Sequence, residues 1–112
     1  MLIYKIFRAS EWQQFQSDEV THGAPVDIAD GFVHFSTAIQ AAETAAKHFA
    51  GETGLMLLAF EADEMGADLK WEISRGGASF PHLYRSLKLD EMKWVQPLPF
   101  ETGAHQFPKD MS

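Results

Sequence analysis

LMLLAFEA, residues 55–62, is a continuous apolar run with the length of a β-strand. Short apolar runs bounded by turn residues are typical of strands that are covered on both faces. The acidic turn DEMGAD follows this run at residues 63–68. We therefore predict that the run forms the central strand of a sheet, and the other elements are assigned around it.

Five other segments have the composition of β-strands and lie on either side of this run. The fourth of them contains Pro81, which cannot donate a hydrogen bond to a neighbouring strand. We therefore expect that strand at a sheet edge, or the proline at the start of the strand. The predicted strands are LIYKIFR (2–8), GFVHFS (31–36), LKWEI (69–73), FPHLYRSL (80–87) and EMKWVQPL (91–98).

Two helices are predicted from capping patterns. In a capping box, a Ser or Thr caps the helix and a Glu or Gln three residues later reaches back to it. Ser10 and Gln13 fit this pattern, and Thr37 and Gln40 repeat it at the start of a helix that continues to about residue 50 and stops at Gly51. Helical spacing assigns the following residues to the core: Trp12, Phe15, Ile39, Ala42, Ala46 and Phe49.

The order of elements predicts the α+β class, with two helices packed on a mostly antiparallel sheet. The sheet is either continuous or split into two parts. THGAPVDIADG (21–31) is rich in Gly, Pro and Asp and is predicted to be a loop. Long ordered loops are often functional. The 112 residues are predicted to form one domain, residues 1–112, with a core over about 2–98 and a polar, loosely held tail over 99–112.

Composition and charge narrow the function classes. A formal net charge of −7 opposes binding to nucleic acid or to anionic lipid, because the long-range field has the wrong sign. The absence of cysteine excludes disulfides, thiolate nucleophiles and cysteine metal sites. No apolar run reaches the roughly 20 residues of a membrane span, and no signal peptide is recognised. We expect a cytoplasmic protein, in which a local pocket could still bind a small anion.

His34 and Ser36 form the first group of candidate site residues. Side chains alternate along a strand, so these two share a face of GFVHFS. The N–H groups at the start of the following helix favour an anion such as a phosphate or a carboxylate. His34 and Ser36 are therefore predicted ligand-binding residues. The alternative for His34 is a half-buried histidine bonded to a backbone carbonyl.

The second group lies in WEISRGG, residues 71–77. Glu72 is a carboxylate inside an apolar strand and is a candidate catalytic residue, although the outer face of an antiparallel sheet can simply be wet. Arg75 precedes two glycines and is a candidate anion ligand, since guanidinium groups bind anions bidentately. Trp71, on the opposite face from Glu72, is a candidate ligand-binding residue, and core packing is its alternative.

The third group follows directly. His82 and Tyr84 share a face of FPHLYRSL and offer a proton-transfer group beside a phenol. We predict His82 as a catalytic residue and Tyr84 as a ligand-binding residue; the alternative is an exposed edge that carries two amphipathic rings. No close ligand spacing supports a metal site, no Ser lies in a nucleophile-elbow motif, and neither a P-loop nor a dinucleotide-binding glycine pattern is present.

Two motifs in combination resemble a known family. GFVHFSTAIQ (31–40), with the KHF of the following helix, and LKWEISRGGASFPHLYRSL (69–87) resemble the small bacterial family named domain of unknown function 952. The signatures are G-F-x-H-x-S-T and W-E-x-S-R-G-G-x-x-F-P-H-L-Y. The resemblance covers roughly residues 2–98.

The resemblance implies a fold grouped with the ADP-ribosyltransferase-like domains, which include the RNA 2′-phosphotransferases and bind NAD in a cleft of a split sheet. It implies that His34 corresponds to the group on an early strand that holds the dinucleotide, Tyr84 to an aromatic residue that supports the nicotinamide, and Glu72 to the acid that assists glycosidic cleavage. In this chain the Glu precedes the aromatic residue, which reverses the usual order. NAD is the cofactor that this resemblance brings forward.

Three functions follow from these observations. The first is an enzyme of ADP-ribosyl transfer that uses NAD or another nucleotide. The second is a non-catalytic protein that binds a small anionic metabolite in the same pocket. The third is a protein-interaction module in which FPHLYRSL (80–87), as an edge strand, pairs with a partner strand.

Overall fold

The computed structural model of the protein describes residues 1–111, and within that range the side chain of Arg75 lies outside the description. The fold is α+β, as predicted, with mostly antiparallel sheets and three helices across these residues. The strands are β1 (Leu2–Phe7), β2 (Val20–Thr21), β3 (Val33–His34), β4 (Leu55–Glu61), β5 (Leu69–Ile73), β6 (Ser79–Leu83), β7 (Leu87–Lys88), β8 (Met92–Leu98), β9 (Phe100–Glu101) and β10 (Ala104–His105). The helices are α1 (Ala9–Asp18), α2 (Pro25–Asp30) and α3 (Ala38–His48).

The apolar run at residues 55–62 forms the central strand of the main sheet, as predicted. This sheet is antiparallel in the order β1–β4–β8. Alternate side chains of β4 enter different core clusters: Leu58 and Phe60 belong to one, and Leu57 and Ala59 belong to the other. A second antiparallel sheet has the order β3–β6–β5, and the pairs β2–β7 and β9–β10 are two-stranded.

The two three-stranded sheets meet just after β3. On one side the N–H of Phe35 donates to the carbonyl of Pro81 at 3.0 Å. On the other side Ser36 and Tyr4 of β1 exchange two backbone hydrogen bonds, at 2.8 and 2.9 Å. The segment 33–36 therefore lies between β6 and β1, and the sheet is split along it.

We expected FPHLYRSL at a sheet edge, or Pro81 at the start of its strand. Both alternatives are wrong, because β6 lies between β3 and β5 and Pro81 is the third residue of Ser79–Leu83. Pro81 is tolerated there for a geometric reason. Its carbonyl accepts the N–H of Phe35, and its own missing N–H falls where the β3 ladder ends. A proline is compatible with a central strand when its absent donor faces the end of a ladder.

The start of α1 also differs from the prediction. Its N-cap is Arg8 rather than Ser10, and the Oε1 atom of Glu11 accepts the Arg8 N–H at 2.9 Å. Only half of the reciprocal pattern is present, two residues earlier than predicted: Glu11 reaches back to the N-cap N–H, but the Arg8 side chain has no acceptor to return the bond. The guanidinium of Arg8 is held separately by Glu52, with Nε–Oε1 at 2.8 Å.

Helix α3 begins as predicted and turns a different face to the core. Thr37 is the N-cap, and it exchanges hydrogen bonds with Gln40 at 3.0 and 3.3 Å. The buried residues of the helix are Ala41 and Ala45, whereas Ile39 is 94% exposed. Ala42 and Ala46 are exposed as well, so the predicted register of this helix is wrong.

The predicted loop at residues 21–31 contains a further helix, α2. Pro25 occupies its first turn, where the missing N–H costs nothing. Asp27 accepts the N–H of Ala24 at 2.7 Å, and Gly31 ends the helix with a positive φ of 84°. These are ordinary helix start and stop signals, hidden in a segment whose composition is that of a loop.

The C-terminal segment is more ordered than the loose tail that was expected. β9 and β10 form a hairpin, and the Nε2 atom of His105 lies 2.9 Å from the carbonyl of Glu52. Phe107 and Met111 pack against the core cluster that contains Leu57. Within residues 1–111, the helices lack the length and apolar character needed to cross a membrane.

Candidate functional site

A cavity of about 530 Å³ lies beside the split in the sheet. Its walls come from β1, from the segment after β3, from α3, from the start of α2 and from β6. The side chains that line it are of three kinds: aromatic and aliphatic groups, hydroxyls, and ionisable groups. They are Tyr4, Lys5, Ile6, Arg8, Ala24, Pro25, Val26, Asp30, His34, Phe35, Ser36, Ala41, Thr44, His48, Phe49, Ser74, Phe80 and His82.

His82 is one of the buried polar residues of this wall, 5% exposed. It lies opposite His34 in the β3–β6 register, and the two rings are 5.2 Å apart between centroids. The alternation of side chains along two antiparallel strands brings these imidazoles together on one face of the sheet. The two motifs that resemble a known family therefore contribute neighbouring side chains to one wall.

Glu72 contacts His82 from the neighbouring strand β5. Its Oε1 atom is 2.8 Å from Nδ1 of His82 and accepts the hydroxyl of Tyr84 at 2.7 Å. The hydrogen bond from Tyr84 and the one from His82 lower the pKa of Glu72, and the same bond to Glu72 raises the pKa of Tyr84. Because Glu72 is then a carboxylate, which only accepts, Nδ1 of His82 carries the hydrogen.

The second nitrogen of His82, Nε2, has no hydrogen-bond partner among the residues that the structure describes. His82 is thus an imidazole oriented by a carboxylate through one nitrogen, with the other nitrogen uncommitted. Histidines that act as general bases are oriented in this way.

Phe32 fixes the positions of these rings. Its ring stacks on His82 at 4.3 Å and lies 4.6 Å from His34 and 5.0 Å from Tyr84, measured between centroids. The alternation along GFVHFS predicts that Phe32 shares a face with His34. Its role as the common contact of three rings follows only from the tertiary arrangement.

Two residues that the sequence does not single out, Lys5 and Asp27, hold His34 in place. The Oδ1 atom of Asp27 is 2.6 Å from Nδ1 of His34 and also accepts the His34 backbone N–H at 3.0 Å. Nζ of Lys5 is 2.6 Å from Oδ2 of Asp27 and donates to the His34 carbonyl at 3.0 Å. At the split, side chains therefore take the place of a neighbouring strand for both backbone groups of His34.

The Lys5–Asp27 pair is buried, with Asp27 only 1% exposed. Burial alone would raise the pKa of Asp27, but the hydrogen bond from His34 and the charge of Lys5 outweigh it and lower the pKa. Burial lowers the pKa of Lys5, and the Asp27 carboxylate opposes that change. A lysine inside the apolar strand LIYKIF is a signal for such a partner, since buried charges are paired.

The other candidate residues divide into those that reach the cavity and those that do not. Ser36 lines it, and its hydroxyl is 2.8 Å from that of Thr44 on α3. Tyr84 lines a separate cavity of about 260 Å³, on the side where Phe32 and Arg85 lie. Glu72 lines neither cavity and reaches the first only through His82.

Of the remaining candidates, Trp71 is not brought to the cluster. Trp71 is 44% exposed and points to the face of β5 opposite Glu72. The side chain of Arg75 lies outside the described part of the structure. Among residues 1–111, apart from that side chain, no three His, Asp or Glu residues are grouped as a metal ion would require.

The cations that line the cavity are already neutralised in part. Lys5 pairs with Asp27, and Arg8 pairs with Glu52. His34 has a second carboxylate, Asp30, with Oδ2 3.0 Å from Nε2. The described lining is therefore a mixed polar and aromatic surface, and its electrostatic field is not strongly positive.

Comparison with known proteins gives the relatives of the chain. Three solved structures of CC0527 from Caulobacter crescentus are similar to it. Its crystal structure and that of a double mutant both show 50% identity and a TM-score of 0.91, covering 95% of this chain and 94% of that one. The solution structure shows 49% identity and a TM-score of 0.83, covering 93% and 90%. A search among curated proteins finds no match.

A family model also matches the chain. The model described as "Protein of unknown function (DUF952)" matches residues 6–95. This span includes both motifs and the side chains of Phe32, His34, Glu72, His82 and Tyr84. The chain therefore belongs to the DUF952 family.

Proposed function

We propose that this protein binds a nucleotide, or a small anionic metabolite like it, in the main cavity, and that His82 acts on the ligand as an acid–base group. The observation that carries the proposal is the orientation of His82: Nδ1 is held by Glu72 at 2.8 Å, and the ring lines a cavity of about 530 Å³. Pockets of roughly 300–1,000 Å³ with a few convergent polar groups are typical of small-molecule sites.

The lining supports a nucleotide in particular. Aromatic rings such as Phe35, Phe49 and Phe80 suit a base, and the hydroxyls of Ser36 and Ser74 suit a ribose or a phosphate. Nε2 of His82 supplies a further polar contact on the same wall. We expect this binding to occur in the cytoplasm, where nucleotides are abundant.

The role of Glu72 differs from the one that the resemblance implies. The resemblance makes Glu72 the acid that assists glycosidic cleavage, whereas its carboxylate contacts His82 and Tyr84 and does not line the cavity. We therefore assign Glu72 as a positioning residue and His82 as the catalytic residue. Positioned general bases contribute roughly 10²–10⁴-fold in rate.

The reaction we propose is ADP-ribosyl transfer from NAD, in keeping with the ADP-ribosyltransferase-like grouping that the resemblance implies. The bond between nicotinamide and C1′ of the ribose breaks, and nicotinamide leaves with the bonding electrons. A hydroxyl of the acceptor, or of water, forms the new bond to C1′, and Nε2 of His82 takes its proton. Asp27 holds His34 at the cavity wall, and a dinucleotide that contacts Nε2 of His34 would take the place of Asp30 on that nitrogen.

Calorimetric titration with NAD, ADP-ribose, AMP and inorganic phosphate, followed by product analysis with NAD, tests the proposal. We expect one of the nucleotides to bind, and His82→Gln and Glu72→Gln to lower turnover by at least tenfold while leaving the Kd nearly unchanged. His22→Gln, an exposed histidine outside the main cavity, is the matched control.

The outcomes separate the two halves of the proposal. Binding without any product supports the non-catalytic alternative and removes the assigned role of His82. Binding of none of the four probes overturns the assignment of the cavity to a nucleotide. An equal loss of turnover in His22→Gln would show that the effect is not specific to the cluster.

A further inference from the structure

Strand β5 is an open edge of the second sheet. It pairs with β6 on one side and with no strand on the other, among the residues described. Two of its five residues are large, apolar and exposed: Trp71 at 44% and Ile73 at 73%. Proteins usually protect such edges with prolines, bulges or charges, because an open edge is a template for pairing with another chain.

The backbone of Trp71 points to this open edge. In an antiparallel sheet, successive residues direct their N–H and C=O groups to opposite sides. Pro81 directs its carbonyl to Phe35, away from β5, so its partner Trp71 is not hydrogen-bonded to β6. The N–H and C=O of Trp71, and by the same alternation those of Ile73, therefore face outward. The backbone groups of Leu69 also face outward, but its N–H already donates to the carbonyl of Gly66.

The sequence of the strand is complementary to itself. When LKWEI is paired antiparallel with a second LKWEI about a two-fold axis at Trp71, Lys70 lies opposite Glu72 of the second strand, and Leu69 lies opposite Ile73. Opposite charges placed directly across a strand pair are favourable, and like charges are not. Isologous two-fold contacts of this kind are the commonest interfaces of homo-oligomers.

We propose that two copies of this protein associate through β5, antiparallel and centred on Trp71. Two backbone hydrogen bonds form between Trp71 and the partner's Trp71, and the N–H of Ile73 donates to the carbonyl of the partner's Leu69, with the reciprocal bond at the other end. The two sheets then join into a continuous one. Trp71 and Ile73 are covered by the partner's apolar residues on the face opposite Glu72.

The pairing also gives a role to Lys70 and Glu72, the two charged residues of LKWEI. Lys70 protects the edge of an isolated chain, and in the pair it lies beside the partner's Glu72. The net charge of −7 on each copy opposes association at long range, so we expect the pair to be stabilised by salt that screens this repulsion.

Cross-linking tests the register directly, because the chain has no cysteine. In the proposed pair, the Cα atoms of residue 71 are about 5.5 Å apart, within the roughly 4.4–6.8 Å that a disulfide spans. Those of residue 73 are roughly 14 Å apart, given four residues of offset at the usual rise. We expect Trp71→Cys to form a disulfide dimer under mild oxidation at least tenfold faster than Ile73→Cys.

Ile73 is the more exposed of the two residues, so random collisions would favour the opposite order. Equal rates, or a faster Ile73→Cys, would overturn the proposal. Sedimentation equilibrium of the unmodified chain is the second measurement, with Lys70→Glu expected to weaken association by at least tenfold. Lys109→Glu makes the same charge change in the C-terminal segment. A wild-type monomer at every concentration, or equal effects of the two reversals, also overturns the proposal.

Discussion

Glu72 and Tyr84 illustrate the residue scale, where one atom serves two partners. Oε1 of Glu72 accepts from both the Tyr84 hydroxyl and the His82 ring. We predict that Tyr84→Phe raises the pKa of Glu72 toward its ordinary value of 4.5, because the larger of the two stabilising bonds is lost. The carboxyl carbon shift in an NMR titration measures this. Trp71→Phe, on the opposite face of β5, is the control, and an unchanged Glu72 in Tyr84→Phe contradicts the prediction.

Asp27 is buried and contacts Lys5, His34 and the N–H of Ala24. We predict that Asp27→Asn lowers the free energy of unfolding by about 3–5 kcal/mol, because Lys5 keeps its charge in a buried site without a carboxylate. Denaturant unfolding at neutral pH measures the loss. Asp30→Asn, a nearby and more exposed carboxylate, should cost less than about 1 kcal/mol. Equal losses in the two variants would rule out this role for the Lys5 pair.

At the scale of elements, the packing face of α3 can be tested. We predict that Ala45→Leu destabilises the protein by about 1–3 kcal/mol, because Ala45 is buried against the main sheet and has no room for a larger side chain. Ala46→Leu, one residue further and exposed, should change the free energy of unfolding by about 0.5 kcal/mol or less. Thermal or denaturant unfolding distinguishes them, and the reverse order would restore the register expected from the sequence.

The same helix shows what a sequence can and cannot predict about an element. Its start was predictable because Thr37 and Gln40 form a local pattern that needs no tertiary information. Its core face was not, because alanines occur on both sides of the helix and Ile39 shifts the apparent apolar stripe to the wrong one. The helix packs through small residues, which leaves Ile39 exposed. Apolar periodicity cannot predict this, because it does not distinguish a face of alanines from a face that contains an isoleucine.

The candidate cluster divides in the same way. The strand alternation alone predicts that His34 and Phe32 share a face, and likewise His82 and Tyr84, and the structure brings the two pairs into contact. Lys5 and Asp27 were not predictable, since they come from a core strand and from a segment with the composition of a loop. Their contacts with the His34 backbone depend on the divergence of two strands, which no local pattern encodes.

At the scale of the whole molecule, the charged network makes stability depend on acid pH. The pKa of Asp27 is lowered on folding, so its contribution is complete above the ordinary value of 3.8 and is lost as the pH falls toward the folded value. Glu52, Glu61 and Glu91 shift in the same direction from 4.5. We predict that stability falls below about pH 4.5, and falls less in Asp27→Asn than in the wild type. Urea midpoints across a pH series measure how steeply the stability of each protein falls with pH. Equal falls in the wild type and in Asp27→Asn would show that Asp27 does not contribute to the acid sensitivity.

The Lys5–Asp27 pair affects the shape of the cavity separately from the stability of the fold. Apolar residues of matching volume in place of a buried ion pair often leave a protein equally stable or more so. Replacing Lys5 and Asp27 by apolar residues would remove their hydrogen bonds to the His34 carbonyl and N–H. Those backbone groups could then pair with β1, from which the two side chains now separate them. We expect such a variant to remain folded but to pair the segment at His34 with β1, which would close the cavity. The two charged side chains therefore keep these strands apart, and the cavity depends on that separation.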